Sequence, residues 1–119
     1  MPVAHIITFK LKEDVELSAA RKLFERVYEF KDICKKPDGA TYVKANRGGK
    51  QVTDGLLGQL AKGWEYAFLF AFEASQCFAS TTDLEYFLLK DPEHQKFAAD
   101  FRPLLADAIA LTFEDRVFE

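Results

Sequence analysis

Proton transfer is the chemistry this chain's residues suit best, and only two side chains titrate near neutral pH: His5 and His94. His94 lies in "KDPEHQKF", directly after Asp91-Pro92. Asp as N-cap with Pro at the first helical position predicts a helix starting at Pro92. Phe97, Ala98 and Phe101 then fall at i+3, i+4 and i+7 from His94, so the imidazole shares their apolar face and turns towards the core. There it can act as a general base or acid, or simply pack against the core with a backbone carbonyl as partner. His5, in "VAHIITF", shares a strand face with Ile7 and Phe9. If that face meets the helices, the two imidazoles line one cleft. Read as metal ligands, the pair lacks a supporting cysteine or carboxylate at a recognised spacing. No metal or other cofactor is expected.

Beside them stands a row of rings, Trp64, Tyr66, Phe68, Phe70 and Phe72, at alternate positions of "GWEYAFLFAFE". Packed against helical Leu23, Phe24, Val27 and Phe101, such a row builds a core. It can also leave a flat apolar pocket suited to a small aromatic or polyketide-like ligand. Tyr66 and Tyr28 can supply hydroxyl donors there or simply sit at the edge of the core. "RGGK" has no phosphate-loop spacing, and no Gly-x-Ser-x-Gly, Cys-x-x-Cys or His-Glu-x-x-His motif is present.

The elements that position these residues read clearly. "VAHIITFKL" (3–11) has strand composition. From Ser18, the apolar residues Ala20, Leu23, Phe24, Val27, Phe30 and Cys34 keep helical spacing. Pro37-Asp38-Gly39 marks a turn, followed by a short strand over 40–45, a polar loop and one helical turn around "LLGQLA". The strongest strand spans 63–73. Ser80 and Asp83 resemble a capping box opening a helix to about Lys90. The helix from Pro92 ends or kinks at Pro103, and a last strand covers 109–118.

The chain has 119 residues, 49% of them hydrophobic and 29% charged, which predicts a single globular domain over 1–119. A net charge of −3 without a basic stripe argues against a nucleic-acid partner. The start, "MPVAHIITFKLK", reads as a strand and not as a secretory or membrane segment. Cys34 and Cys77 have no metal or redox spacing, so reduced thiols and a cytoplasmic location are expected.

The order β-α-β-β-α-(α)-β is that of an α+β, ferredoxin-like protomer: a four-stranded antiparallel sheet with helices on one side. Both faces of strand 63–73 are largely apolar, as are both faces of the first strand. Antiparallel sheets with one wet face alternate apolar with polar, so the second face needs a cover. A second copy of the same sheet, in a symmetric homodimer, is the economical one.

The segments "VAHIITFKLKEDV", "KGWEYAFLFAFE", "YFLLKDPEHQKF" and "RPLLADAIALTFE" resemble the stress-responsive A/B barrel family over nearly the whole chain. Asp91, Pro92, His94 and Phe97 match its most specific motif. The resemblance implies a homodimeric α+β barrel. Through a plant polyketide cyclase in the family, it also implies a cofactor-free cyclase or lyase closing rings by aldol chemistry. His94 would be the general base, with His5 or Tyr66 polarising a carbonyl. His5, Ile7, Phe9, Phe24 and Phe97 match cleft positions, and Tyr28, Phe68 and Leu88 complete the expected substrate contacts. Two positions depart from the pattern. Leu88 stands where the cyclase has a tyrosine partner for its histidine, Tyr86 lying about 200° round the helix from it. Tyr66 stands where many members carry a histidine, and could supply the missing donor from the opposite wall. The alternative is a non-catalytic small-molecule binder or a structural stress-response dimer.

Overall fold

The computed structural model describes residues 3–72 and 82–119, with the backbone alone for residues 71 and 72. Among the described residues, four strands and four helices follow one another as β1 (Val3–Leu11), α1 (Leu17–Ile33), β2 (Val43–Lys50), α2 (Leu56–Ala61), β3 (Tyr66–Phe72), α3 (Thr82–Leu89), α4 (Pro92–Phe101) and β4 (Leu105–Glu114). A 3-10 turn, Arg102–Leu104, joins α4 to β4. The sheet order is β2-β3-β1-β4, and every neighbouring pair is antiparallel. This is the expected ferredoxin-like protomer.

Each long helix follows its sequence pattern. Ala20, Leu23, Val27 and Phe30 form the buried stripe of α1. In α4 the buried set is Phe97, Ala98 and Phe101, and Asp91 caps the helix by accepting from the Glu93 and His94 backbone N–H groups. Phe9, Phe30 and Phe87 are almost wholly excluded from water between the helices and one sheet face. Their edge and stacked ring contacts fill that layer, Phe30 meeting Phe87 edge-on at 5.6 Å and Phe9 meeting Phe101 at 5.0 Å.

Three element boundaries differ from the sequence reading. The second strand runs over 43–50 rather than 40–45, so "RGGK" is strand and not loop. Gly48 pairs with Phe68, and a β-carbon at Gly48 would stand 2.0 Å from the Phe68 ring. The missing side chain is what lets the ring lie against the strand. The third strand starts at Tyr66, because Lys62 and Gly63 take left-handed backbone angles and turn the chain first. The fourth strand covers 105–114 instead of 109–118: it begins directly after the Pro103 turn, and positive φ at Arg116 marks a turn beyond its end. The Ser80 cap and Cys77 lie outside the described residues.

The other sheet face is as apolar as expected and is not covered by the described residues of the single chain. Ile6 pairs with Leu69 on one side and Leu111 on the other, and Ala4 pairs with Phe113. Leu111 is 59% exposed and Phe113 49%. No helix among the described residues is long and apolar enough to cross a membrane.

Candidate functional site

The site grows from two short segments that the fold brings face to face. Asp91 and Pro92 fix where α4 begins, and thereby the rotation that turns His94 inward. On β1, strand alternation sends His5 and Ile7 to the helix side. Between them lies a cavity of about 240 Å³, walled by Phe68 and Phe70 of β3, Phe30 of α1, Phe87 and Leu88 of α3, and Phe97 of α4.

Within it His94 is ringed by aromatics. The Phe87 ring centre is 4.2 Å from its own, and that of Phe30 is 6.2 Å away. Its Nδ1 is buried and has no hydrogen-bond partner among the described residues. Burial pushes the imidazole pKa down to about 4; the Asp91 carboxylate works against this, while the charges of Arg102 and His5 add to it. His94 is therefore neutral at physiological pH. His5 is buried too, its pKa lowered by desolvation, and its Nδ1 lies 2.9 Å from the Thr112 hydroxyl. That contact leaves Nε2 as the nitrogen available to a ligand.

Six of the expected residues meet at this cavity: His94, His5, Ile7, Phe68, Leu88 and Phe97. The other four do not line it. Phe9 is fully buried beneath, its ring stacked between those of Phe68 and Tyr66 at 5.9 and 5.5 Å. Phe24 packs over the same stack. Tyr28 is half-exposed and donates its hydroxyl to the Gly48 carbonyl. Tyr66, the expected partner of His94, sits at the far end of β3. The register sets it opposite Phe9, whereas Phe70 is opposite His5 and Phe68 opposite Ile7. The Phe9–Phe68 stack thus stands between Tyr66 and the cavity, and Tyr66 faces a separate depression beside Trp64. Tyr86 likewise points away from Leu88, its hydroxyl donating to the Lys35 carbonyl.

Sequence reasoning placed Phe70 in the aromatic row that could wall a pocket, but it did not assign Phe30 and Phe87 as walls, nor Thr112 and Arg102 as polar neighbours. Thr112 depends on the β1–β4 register, which no local pattern reveals. Among the described residues, no three His, Cys, Asp or Glu side chains converge as a metal site would require. A wider open groove of about 630 Å³ between β2 and α2, lined by Gly49, Lys50, Leu57 and Leu60, has no group suited to proton transfer near neutral pH.

Comparison with known proteins agrees with this architecture. The model of the stress responsive A/B barrel domain matches residues 3–115. No curated protein matches the chain by sequence. Among solved structures, the chain is similar to a hydroxynitrile lyase from Passiflora edulis at 19% identity and a TM-score of 0.76, covering 99% of this chain and 97% of that one. It is similar to a dimeric ferredoxin-like protein of unknown function from Thermobifida fusca at 18% identity and a TM-score of 0.67, covering 95% and 90%. A Dabb family protein with a ferredoxin-like fold from Mesorhizobium loti matches at 14% identity and a TM-score of 0.61, covering 95% of both chains. At these identities the likeness is one of fold.

Proposed function

This chain belongs to the stress-responsive A/B barrel family, and we propose that it is a cofactor-independent cyclase or lyase acting on a small carbonyl compound of polyketide type. The observation that carries this reading is the neutral His94 imidazole, its Nδ1 unpartnered among the described residues, in an aromatic cavity that also holds a second imidazole. A neutral imidazole has a lone pair free to take a proton from the carbon between two carbonyls. His5 donates to the carbonyl oxygen on which the enolate charge gathers. The enolate carbon then attacks a second carbonyl of the same molecule, forming the ring bond. The imidazolium of His94 returns its proton to the resulting alkoxide. No redox partner is needed.

The name of one structural neighbour, a hydroxynitrile lyase, supports the lyase side by analogy of fold alone. The dimer belongs to the same reading: the open face with Ile6, Leu69, Leu111 and Phe113 is covered by a second copy. The location proposed is the cytosol, where the buried free thiol of Cys34 stays reduced.

Turnover of a short linear poly-β-ketone acid, followed by the absorbance of its cyclised product, tests the catalytic step. His94→Ala should reduce it by about 10²- to 10⁴-fold with the fold retained. Equal rates in the variant and the wild type would remove His94 from the chemistry. A second reading, a non-catalytic binder using the same cavity, is favoured by Leu88, which puts no hydroxyl beside His94. It predicts no cyclised product from either protein and a thermal shift with small aromatic ligands that survives the substitution. A purely structural dimer predicts neither.

A further inference from the structure

Of the described residues lining the cavity, only Arg102 carries a full charge. It stands where α4 passes into the 3-10 turn, and its backbone is held on both sides. Its N–H donates to the Ala98 carbonyl, and its carbonyl accepts from Leu105 N–H. The side chain is exposed and forms no ion pair with any described residue. Arg102 is thus the permanently charged residue at a chamber otherwise lined by apolar side chains and two imidazoles. A planar, always-charged fork of donors fits a carboxylate better than any neutral group.

Resting on the site reading above, we propose that Arg102 selects the ligand's charge: the cavity takes a compact monocarboxylate whose apolar body lies among the phenyl rings and whose carboxylate pairs with the guanidinium. The alternatives fit poorly. A cation would meet Arg102 with like charge, and a dianion would leave its second charge unpaired among Phe30, Phe70, Phe87 and Phe97. At about 240 Å³ the chamber lies below the range of pockets for drug-sized ligands, so the body must be small.

The pairing has a consequence for His94. Burial is the main reason that imidazole resists protonation; among the charges Asp91 opposes this, while Arg102 and then His5 add to it. A bound carboxylate neutralises the Arg102 field, which removes one of the influences that lower the His94 pKa and leaves burial, His5 and Asp91 in place. An anionic ligand in place therefore makes His94 a stronger base than a neutral one of the same shape does, which couples recognition to proton abstraction.

The test uses two probes of one shape, 3-phenylpropionate and its neutral amide 3-phenylpropanamide, titrated at low salt into protein labelled at histidine. The His94 ring signals are followed by NMR in wild type, Arg102→Lys and Arg102→Gln, each checked for an unchanged unfolding midpoint. The expected result is that the carboxylate binds about tenfold tighter than the amide in wild type. Arg102→Lys should keep part of that preference and Arg102→Gln should lose it. The His94 pKa should rise in the carboxylate complex and not in the amide complex. Equal affinity for both probes in wild type and Arg102→Gln would overturn the role of Arg102 and leave the cavity standing as a ligand site. If neither probe shifted the His94 signals, the site reading itself would fail and Arg102 selection with it.

Discussion

The Tyr42 hydroxyl donates a 2.5 Å hydrogen bond to Oδ2 of Asp91, whose other oxygen accepts from the Glu93 and His94 backbone N–H groups. Asp91 is 1% exposed. One carboxylate therefore joins the chain before β2 to the first turn of the helix that carries His94. Close packing and the carboxylate's charge raise the pKa of both Tyr42 and Cys34 beside it, so both stay protonated. The function of this buried cluster is positional: it sets where α4 starts.

Tyr42→Phe removes one donor and leaves the carboxylate short of a partner in a dry site. The expected loss is about 1–3 kcal/mol of unfolding free energy. Asp91→Ala removes the cap as well and should lose more. Urea unfolding midpoints check both. A Tyr42→Phe midpoint equal to wild type would mean that the bond contributes nothing net.

The pH dependence of stability has a definite sign. The folded state holds His94 neutral down to about pH 4, while in the unfolded chain it protonates near its ordinary 6.5. Between those values the unfolded state binds more protons, so stability falls as pH drops through that window. The loss levels off below about pH 4, where both states are protonated. His5, also depressed by burial, acts in the same direction. Wild type should lose about 1–3 kcal/mol more than His94→Gln between pH 7.5 and 4, after discounting for partial solvent access. Parallel stability curves for the two proteins would show that His94 is not held neutral.

How much of this was legible in the sequence depends on how local each feature is. The inward turn of His94 follows from Asp91, Pro92 and the spacing to Phe97 and Phe101, all within a few residues, and it is found as read. Tyr66 shows the opposite case. Alternation puts it on the same face as Phe68 and Phe70, but period-two reasoning says nothing about position along the strand. Where the helices cross decides that, and they leave Tyr66 beyond the Phe9 stack. "RGGK" reads as loop because glycine lacks strand propensity. Its reason for being strand is the Phe68 ring against it, a long-range fact.

That ring makes a paired prediction. A methyl at Gly48 would meet Phe68 Cδ1 at 2.0 Å and the Ala67 carbonyl oxygen at 2.7 Å, whereas a methyl at Gly49 meets nothing within 4 Å. Gly48→Ala should therefore cost about 1–3 kcal/mol by overpacking and push Phe68 towards the cavity. Gly49→Ala should be near neutral or slightly stabilising, since it reduces the freedom of the unfolded chain. Chemical denaturation of the two variants side by side checks this, and similar losses in both would refute the close-packing account.

The open sheet face supplies the last prediction. Leu111 and Ile6 are register partners at its centre, and Ile109 and Phe113 flank Leu111 on the same strand and face. If a second copy covers this face, Leu111→Glu buries a charge opposite its own symmetry-related copies, with no partner among the apolar residues around it. Dissociation should follow. Leu89 is a fair control, because it is 72% exposed but belongs to α3, on the helix side of the sheet. Sedimentation equilibrium should give twice the chain mass for wild type and Leu89→Glu, and the mass of one chain for Leu111→Glu. A wild-type protein that sediments as a monomer would mean that the apolar face has some other cover. A Leu111→Glu protein that stays dimeric would place the interface elsewhere, and the two-faced strand composition would then need a different explanation.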